Sequence, residues 1–215
     1  QMEERIRDYT GKDIIVSFAP QRCIHVGECT ARLAKVFDTS RHPWVMPDAA
    51  SADDIAEVVL RCPTGALHFT RLDGGAQEAI PDHNEILLAA DGPLYLSGDI
   101  QLLAPDGSLF LHDTRVSLCR CGASKCKPFC DENHTTVHFN EVGKLCDPDI
   151  FLVPLKSAEP GQPLKVHFYP NDSYLIEGPF ILRSSDGTQV EKAEGGSLCC
   201  CGLSNAKPFC DGSHM

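Results

Sequence analysis

A cysteine-rich cassette that occurs twice, at residues 119–134 and 199–214, constrains this chain more than any other feature. Each copy supplies Cys-x-Cys, then a third cysteine, then Asp-x-x-His. Three soft thiolates and one imidazole in so short a stretch form a ligand set for a metal centre, and the repetition argues against coincidence. The candidate ligands are Cys119, Cys121, Cys130 and His134 in the first copy, and Cys199, Cys201, Cys210 and His214 in the second.

The repeat is longer than the cassette. At an offset of 80 residues Gly98 aligns with Gly178 without a gap, and apolar positions on either side follow the same offset. One supersecondary unit has therefore been duplicated, and such units normally bury their apolar faces against each other. We predict two tandem β-rich units, residues 80–145 and 164–215, related by a pseudo-twofold axis.

Short strands separated by Asp-Gly and Gly-Asp turns are expected in both units. They are predicted at residues 86–90, 94–96, 100–104 and 109–112, and again at 164–169, 174–177 and 180–183. The first seventy-odd residues have a different pattern, with a strand at 13–18, helices at 28–36 and from the capping residue Ser51 to 61, and a strand at 66–70. The fold class predicted for the whole chain is α+β.

The ligand type alone fits either Zn²⁺ or an iron–sulfur cluster. Structural zinc sites usually combine two Cys-x₂₋₄-Cys or His-x₃₋₅-His pairs from separate segments. In this chain Cys-x-Cys offers two thiolates to one metal, and Cys-x₃-His from the next turn offers a second pair of donors. That division favours a two-iron, two-sulfide cluster, with zinc as the alternative.

The pattern Cys-x-Cys-x₂-Ser-x₃-Pro-x-Cys-Asp-Gly-Ser-His resembles the signature of the CDGSH (mitoNEET-like) iron–sulfur family. The second cassette matches it throughout, and the first departs at the non-ligand residues Glu132 and Asn133. The resemblance implies one [2Fe–2S] cluster in each cassette, held by the three cysteines and the histidine. It also implies clusters that acid releases, because the single histidine ligand can be protonated.

The remaining cassette residues have structural interpretations. The serines of the cassettes are expected to bond to turn backbone, and the aspartates to cap the turn that carries the histidine. The lysines are interpreted as solvated, and three cysteines as ordinary thiols outside the ligand set. These residues are Ser124 and Ser204; Asp131 and Asp211; Lys127 and Lys207; Cys126, Cys146 and Cys200.

A second cysteine pattern lies near the beginning of the chain. Cys23 and Cys29, followed at a distance by Cys62 and a proline, resemble a bacterial ferredoxin with one cluster, in particular the divergent mono-cluster family. The resemblance implies a small ferredoxin-like domain at residues 1–75. Val26 occupies the position of the second cysteine, so three ligands remain and a [3Fe–4S] cluster is expected. A [4Fe–4S] cluster with His25 or an outside ligand is the alternative, and a domain of buried thiols without metal is another.

Composition limits the compartment and the partners. Twelve cysteines, with no apolar leader and no apolar run long enough to span a membrane, predict a cytoplasmic protein with reduced thiols. A formal charge of −11 argues against nucleic acid or an anionic membrane as partner.

The chain shows neither a nucleotide-binding fingerprint nor a Ser–His–Asp arrangement, which predicts a protein that is not an enzyme. The expected role is electron transfer with a reductase or an acceptor protein. The alternatives are donation of clusters to an apo-protein, and redox or pH sensing.

Overall fold

The computed structural model describes residues 4–157, 161–170 and 172–213. The chain divides into two compact units, Gln1–Ala79 and Ile80–Met215. Strands predominate and the helices are few and short, as the α+β prediction requires.

The first unit is a three-stranded antiparallel sheet with two short helices. Its elements are β1 (Arg7–Thr10), β2 (Ile14–Phe18), α1 (Glu28–Arg32), α2 (Ala52–Leu60) and β3 (Leu67–Arg71), with 3₁₀ turns at Pro20–Arg22 and Pro47–Ala49. β2 is the central strand and pairs with both β1 and β3. The buried side chains of β2 and α2 meet in one core, in which Ile14, Val16, Ile55 and Val59 are almost fully excluded from water.

The helix prediction for α2 is confirmed, because the Ser51 side chain accepts a hydrogen bond from the backbone N–H of Asp54 at 3.2 Å. α1 is shorter than predicted and ends at Arg32, where Leu33 leaves the helical conformation. β1 was not predicted because its sequence is mostly polar and its side chains are largely exposed at the edge of the sheet.

The second unit contains one seven-stranded sheet. Its elements are β4 (Glu85–Leu88), β5 (Leu94–Leu103), β6 (Leu109–Leu118), α3 (Asn133–Thr136), α4 (Pro148–Phe151), β7 (Leu152–Pro154), β8 (Leu164–His167), β9 (Tyr174–Arg183) and β10 (Val190–Leu198). Alternate residues of β4, β5, β8 and β9 are buried and form one continuous core. Burial of each large aliphatic side chain contributes about 1.5–3 kcal/mol.

The two repeats exchange strand partners. β4 pairs antiparallel with β5 of its own repeat and parallel with β9 of the other. β8 pairs antiparallel with β9 and parallel with β5. The registers correspond at the offset of 80 residues, since Glu85 lies opposite Ile181 while Lys165 lies opposite Gln101.

β5 and β9 were each predicted as two strands, and the structure corrects both predictions to one continuous strand. The residues that interrupt the pattern, Gly98 and Gly178, have φ angles of 134° and 105°. A Cβ on Gly98 would lie 2.2 Å from Asn84 Oδ1, and one on Gly178 would lie 2.4 Å from the carbonyl oxygen of Pro163. Each glycine therefore marks a bulge at which its strand changes partner, and the chain does not reverse there.

Candidate metal centres

The first cassette follows β6 and folds back on its end. Phe129 forms a bridge with Leu118. The backbone N–H of Cys119 donates to the carbonyl oxygen of Pro128 at 2.9 Å, and that of Cys130 donates to the carbonyl of Ser117 at 3.0 Å. This ladder brings the first and third cysteines of the cassette to the same end of the sheet.

The four predicted ligands of this cassette form two pairs. Cys119 Sγ and Cys121 Sγ are 3.6 Å apart, and Cys130 Sγ and His134 Nδ1 are 3.4 Å apart. Two donors on one tetrahedral metal, at about 2.3 Å each, lie roughly 3.8 Å apart, so each pair fits one metal ion. Within the described parts of the chain, no three His, Cys, Asp or Glu side chains are grouped closely enough to hold a single ion.

The predicted turn contacts are confirmed in the first cassette. Ser124 Oγ donates to the carbonyl oxygen of Phe129 at 2.7 Å. Asp131 accepts from the backbone N–H of Lys125 at 2.8 Å and from that of Asn133 at 3.2 Å. One carboxylate thus joins the loop between the second and third cysteines to α3, which carries the histidine.

The second cassette repeats this geometry as far as it is described. Cys199 Sγ and Cys201 Sγ are 3.6 Å apart, and Cys210 is positioned by a backbone bond to the carbonyl of Ser197 at 3.0 Å. Ser204 Oγ donates to the carbonyl of Phe209 at 2.7 Å, and Asp211 accepts from Asn205 and Ser213. The predicted ligand His214 lies outside the described residues.

Neighbouring thiols and burial shift the pKa values of the cysteines in the first cassette. The hydrogen bond from Cys121 lowers the pKa of Cys119 to about 6, and the same bond raises the pKa of Cys121. Burial raises the pKa of Cys130 to about 11. Since only thiolates bind iron or zinc, metal binding must displace protons from this site.

The two cassettes touch each other. A Cβ on Gly122 would lie 2.4 Å from the carbonyl oxygen of Cys201, and one on Gly202 would lie 2.9 Å from the carbonyl of Cys121. The hydroxyl of Tyr174, a buried residue of the second repeat, donates to the carbonyl of Cys119 at 2.7 Å. The two groups of ligands therefore occupy adjoining loops.

The sequence analysis missed two residues in the neighbourhood of the cassettes, Tyr174 and Arg120. Tyr174 reads as an ordinary strand residue, and nothing in its local pattern indicates that it joins the repeats. Arg120, between the two cysteines of a ligand pair, is buried and donates to the carbonyls of Gly92, at 2.7 Å, and Ala89. Its equivalent in the second cassette is Cys200, and this difference within a near-identical motif was the available signal.

The three N-terminal cysteines lie together. Cys23, Cys29 and Cys62 line one cavity, with His25 and Val26 on its wall. Apolar side chains form much of the remaining lining, among them Phe18, Ile24, Trp44 and Leu67. Burial raises the pKa of Cys29, and charge on the other two thiols adds to the rise. This cavity supplies three soft donors in a largely apolar setting, which fits an iron–sulfur cluster.

The loop around Val26, which occupies the position of the second cysteine in the ferredoxin pattern, has an unusual backbone. His25 and Gly27 have φ angles of 52° and 84°, in the left-handed region, and Val26 between them is 48% exposed. A valine side chain cannot bind iron, so the thiolates of the cavity come from Cys23, Cys29 and Cys62.

The three thiols outside the predicted ligand sets differ in their surroundings. Cys200 is buried and donates to the carbonyl of Asp172, whereas Cys126 and Cys146 are partly exposed. Burial raises the pKa of Cys200 to about 12, partly opposed by the charge of Lys127.

Comparisons with known proteins match the segments that contain these cysteines. The family described as "Iron-binding zinc finger CDGSH type" matches residues 91–135 and 171–215. The family described as "Divergent 4Fe-4S mono-cluster" matches residues 9–72. The fold and the cysteine sites thus define an iron–sulfur protein. The chain contains a divergent 4Fe–4S mono-cluster domain followed by two cassettes of the iron-binding CDGSH type.

The N-terminal domain also resembles curated proteins. The "Uncharacterized protein YjdI" of Escherichia coli K12 is 40% identical over 63 residues, which are 29% of this chain and 83% of that protein. The protein of the same name from E. coli O157:H7 matches equally well. No solved structure matches the chain. Among the described residues, no helix combines the length and the apolar character needed to cross a membrane.

Proposed function

We propose that this protein is an electron carrier with two [2Fe–2S] clusters, each held by three cysteines and one histidine. The observation that carries the proposal is the pairing of donors at 3.6 Å and 3.4 Å in the first cassette. Two pairs of donors suit the two irons of a [2Fe–2S] unit, with one cysteine pair on one iron and the Cys–His pair on the other. The first cluster binds Cys119, Cys121, Cys130 and His134, and the second Cys199, Cys201, Cys210 and His214.

The ligand set places these clusters at intermediate reduction potentials. An oxidised [2Fe–2S] cluster with four thiolates carries a charge of about −2, and replacing one thiolate by a neutral imidazole makes it about −1. Plant-type ferredoxins lie near −400 mV and Rieske centres, with two histidines, at about −150 to +300 mV. A potential between these ranges suits thiol or flavin partners.

The pairing of the two repeats supports a relay between the clusters. Each parallel strand pair has its counterpart at an offset of 80 residues, and the two cassette loops approach each other reciprocally at Gly122 and Gly202. We infer a pseudo-twofold axis between the repeats. Two clusters on adjoining loops of one chain are well placed to exchange electrons before either meets a partner protein.

A third cluster belongs to the N-terminal cavity, and we infer a ferredoxin-like character for this domain. With Val26 at the fourth position, [3Fe–4S] bound by Cys23, Cys29 and Cys62 is the favoured form. The alternative is a [4Fe–4S] cluster that takes its fourth ligand from His25, which lines the same cavity, or from outside the chain.

Repeated reduction and reoxidation of the anaerobic protein tests the carrier role. Each spectrum should return to its starting form over many cycles, with no loss of iron or sulfide. Failure to reduce, or bleaching after a single cycle, would exclude the carrier role and would leave the three cysteine sites in place.

Cluster donation or sensing is the second candidate function. The observation that favours it is the partial exposure of His134, the one ligand of its cassette on a short helix of four residues. Water can reach a ligand in such a position. Donation would be favoured over electron transfer if iron and sulfide move rapidly to an apo-ferredoxin. The transfer should be abolished in the variants His134→Cys and His214→Cys.

A further inference from the structure

The two cassettes form an internal comparison, because each residue of the first has its counterpart 80 positions later. Three bonds are common to both. The bond from the first cysteine N–H to the proline carbonyl measures 2.9 and 2.8 Å, the serine bond across the loop 2.7 Å in each, and the bond from the loop backbone to the aspartate 2.8 Å in each. A difference in how firmly the two clusters are held must therefore come from residues that the cassettes do not share.

The residue after the first cysteine of each cassette is one such difference. Arg120 Nε donates to the carbonyl oxygen of Gly92 at 2.7 Å, and Cys200 Sγ donates to the carbonyl of Asp172, the counterpart of Gly92. The two side chains thus make the same anchor within their own repeats. The guanidinium adds a bond to the carbonyl of Ala89. A charged donor also makes stronger hydrogen bonds than a thiol, which is a weak donor.

Arg120 also holds the residues that follow the histidine ligand of the first cassette. Its guanidinium lies 5.2 Å from the ring centre of Phe139, and the arginine is only 3% exposed. The backbone N–H of Phe139 donates to the carbonyl oxygen of His134 at 2.9 Å. The arginine therefore joins the turn before β5 to the segment next to His134, so it fastens the first cassette at both of its ends.

A hydroxyl group from the other repeat is the second difference. Tyr174 Oη donates to the carbonyl oxygen of Cys119 at 2.7 Å and lies 3.1 Å from the carbonyl of Pro128. The counterpart of Tyr174 is Leu94, which is fully buried and has no polar side-chain atom. This position therefore supplies a bond to the first cassette that its counterpart cannot supply to the second.

The exposure of the cysteine ligands follows the same order. The first cysteines of the two cassettes, Cys119 and Cys199, are both buried. The third cysteines differ, because Cys130 is 3% exposed and Cys210 is partly exposed. A small chelator in water therefore reaches the third ligand of the second cassette more easily than that of the first.

Two contacts of the second cassette do not reverse this order. Lys207 Nζ donates at 2.5 Å to a carbonyl three residues before it in the same loop, so this bond does not tie the cassette to the sheet. Phe209 stacks on Phe151, with ring centres 5.1 Å apart. The first cassette has a similar contact between Phe129 and Phe110, at 6.1 Å.

We propose that the second cassette releases its cluster first and that the first cassette retains its own, with Arg120 and Tyr174 as the positioning residues that make the difference. The inference rests on the proposed [2Fe–2S] clusters. It divides the two candidate functions between the cassettes, because the first becomes the retained electron-transfer centre and the second becomes the source of a donated cluster. In the release step the four bonds from iron to the protein break, the thiolates and sulfides take up protons from water, and two ferric ions pass to a chelator. No electron is transferred.

The test measures the loss of one cluster at a time from the full chain. Cys62→Ser removes the contribution of the N-terminal cavity, and in that background Cys210→Ser leaves the first cluster and Cys130→Ser leaves the second. The oxidised proteins are mixed with excess EDTA at neutral pH without oxygen, and the decay of the visible absorption is followed. The first cluster should be lost about fivefold more slowly, the factor expected for one net hydrogen bond.

Tyr174→Phe and Arg120→Gln then test the positioning residues in both single-cluster backgrounds. Each should speed the loss of the first cluster about fivefold and that of the second less than about twofold. The prediction for Tyr174 is specific, because this residue belongs to the second repeat, and a structural role confined to its own repeat would speed the loss of the second cluster instead. Tyr174→Phe keeps the buried ring, so the test does not depend on whether Arg120→Gln folds.

Three results would overturn the inference. They are equal rates of loss from the two cassettes, faster loss from the first cassette, and an equal effect of Tyr174→Phe on both. Absence of labile sulfide in the wild type would instead overturn the proposed clusters themselves.

Discussion

The two cassettes and the N-terminal cavity gather cysteines in contrasting ways. Each cassette draws its donors from one short segment, which a strand ladder, a serine and an aspartate hold in shape. The cavity draws three cysteines from two distant segments and has Val26 where a fourth donor would be. A complete local set determines both the number of irons and their ligands, whereas an incomplete, distributed set leaves one position of the cluster open.

The difference extends to the backbone. In the cassettes the left-handed residues Gly122 and Gly202 bring the two sites into mutual contact. In the cavity the left-handed residues beside the cysteines are His25, whose side chain is exposed, and Gly27. We therefore expect substitutions at the contact between the cassettes to affect both cassettes together, and substitutions in the cavity to affect one site alone.

Removing one cysteine from each site should produce the largest effects. Cys130→Ser breaks the Cys–His pair of the first cassette and should lower the iron content by about two per chain, whereas Cys62→Ser should lower it by about three. Iron and sulfide analysis of purified protein measures both losses. Cys146→Ser is the matched control, since this thiol lies outside the predicted ligand sets, and it should leave the content unchanged. Equal losses for the two variants would contradict the assignment.

Supplying the missing donor tests the open position of the cavity. If the proposed [3Fe–4S] cluster is present, Val26→Cys should convert it to [4Fe–4S] and add one iron per chain, and the resonance of the oxidised three-iron cluster should disappear. Val26→Ser is the control of similar size and should not add iron. An unchanged spectrum in Val26→Cys would mean that the fourth position is already occupied, by His25 or by a ligand from outside the chain.

The contact between the cassettes can be tested with a matched pair of glycines. Gly122 and Gly107 have nearly equal φ angles, 80° and 81°, but a Cβ would meet the carbonyl of Cys201 only at Gly122. Gly107→Ala should cost about 1–2 kcal/mol for the left-handed conformation, and Gly122→Ala about 1–3 kcal/mol more for the clash. Thermal unfolding followed by circular dichroism measures the difference. Equal costs would show that the two loops do not press on each other.

The smallest expected effect is the loss of one hydroxyl group. Tyr174→Phe removes the bonds to the carbonyls of Cys119 and Pro128, at 2.7 and 3.1 Å. It should lower the free energy of unfolding by about 1–3 kcal/mol, because buried acceptors are left with fewer partners. Tyr169→Phe, at a residue that is 38% exposed, should change stability little. A similar effect of both variants would remove Tyr174 from its role in joining the repeats.

The parts of the fold that sequence reasoning predicted well have strong local signals. α2 begins at a serine cap and buries one apolar face. β2 and β4 are short runs made mostly of apolar residues, and alternate residues in each are buried. The tight turns of the cassettes were also predictable, because serine and aspartate bond to nearby backbone in such loops. These elements depend on interactions within a few residues along the chain.

The missing parts depend on distant contacts. β10 contains Glu191, Lys192 and two adjacent glycines, a pattern that does not indicate a strand until β9 and β7 lie on either side of it. The apolar residues 150–153 resemble a short strand in sequence, but they form the end of α4 followed by β7, since Pro148 starts a helical turn. The position of Tyr174 likewise follows from the packing of one repeat on the other, and that of Arg120 from bonds to the distant carbonyls of Gly92 and Ala89, which no local pattern records.

The most direct test of the whole account is the content of iron, zinc and acid-labile sulfide in the full chain purified without oxygen. Two [2Fe–2S] clusters and one [3Fe–4S] cluster predict about seven irons and eight sulfides per chain, with zinc absent. About four irons and four sulfides would keep the cassettes and remove the N-terminal cluster. Stoichiometric zinc without labile sulfide would contradict the central claim, because the cassettes would then be structural metal sites that carry no electrons.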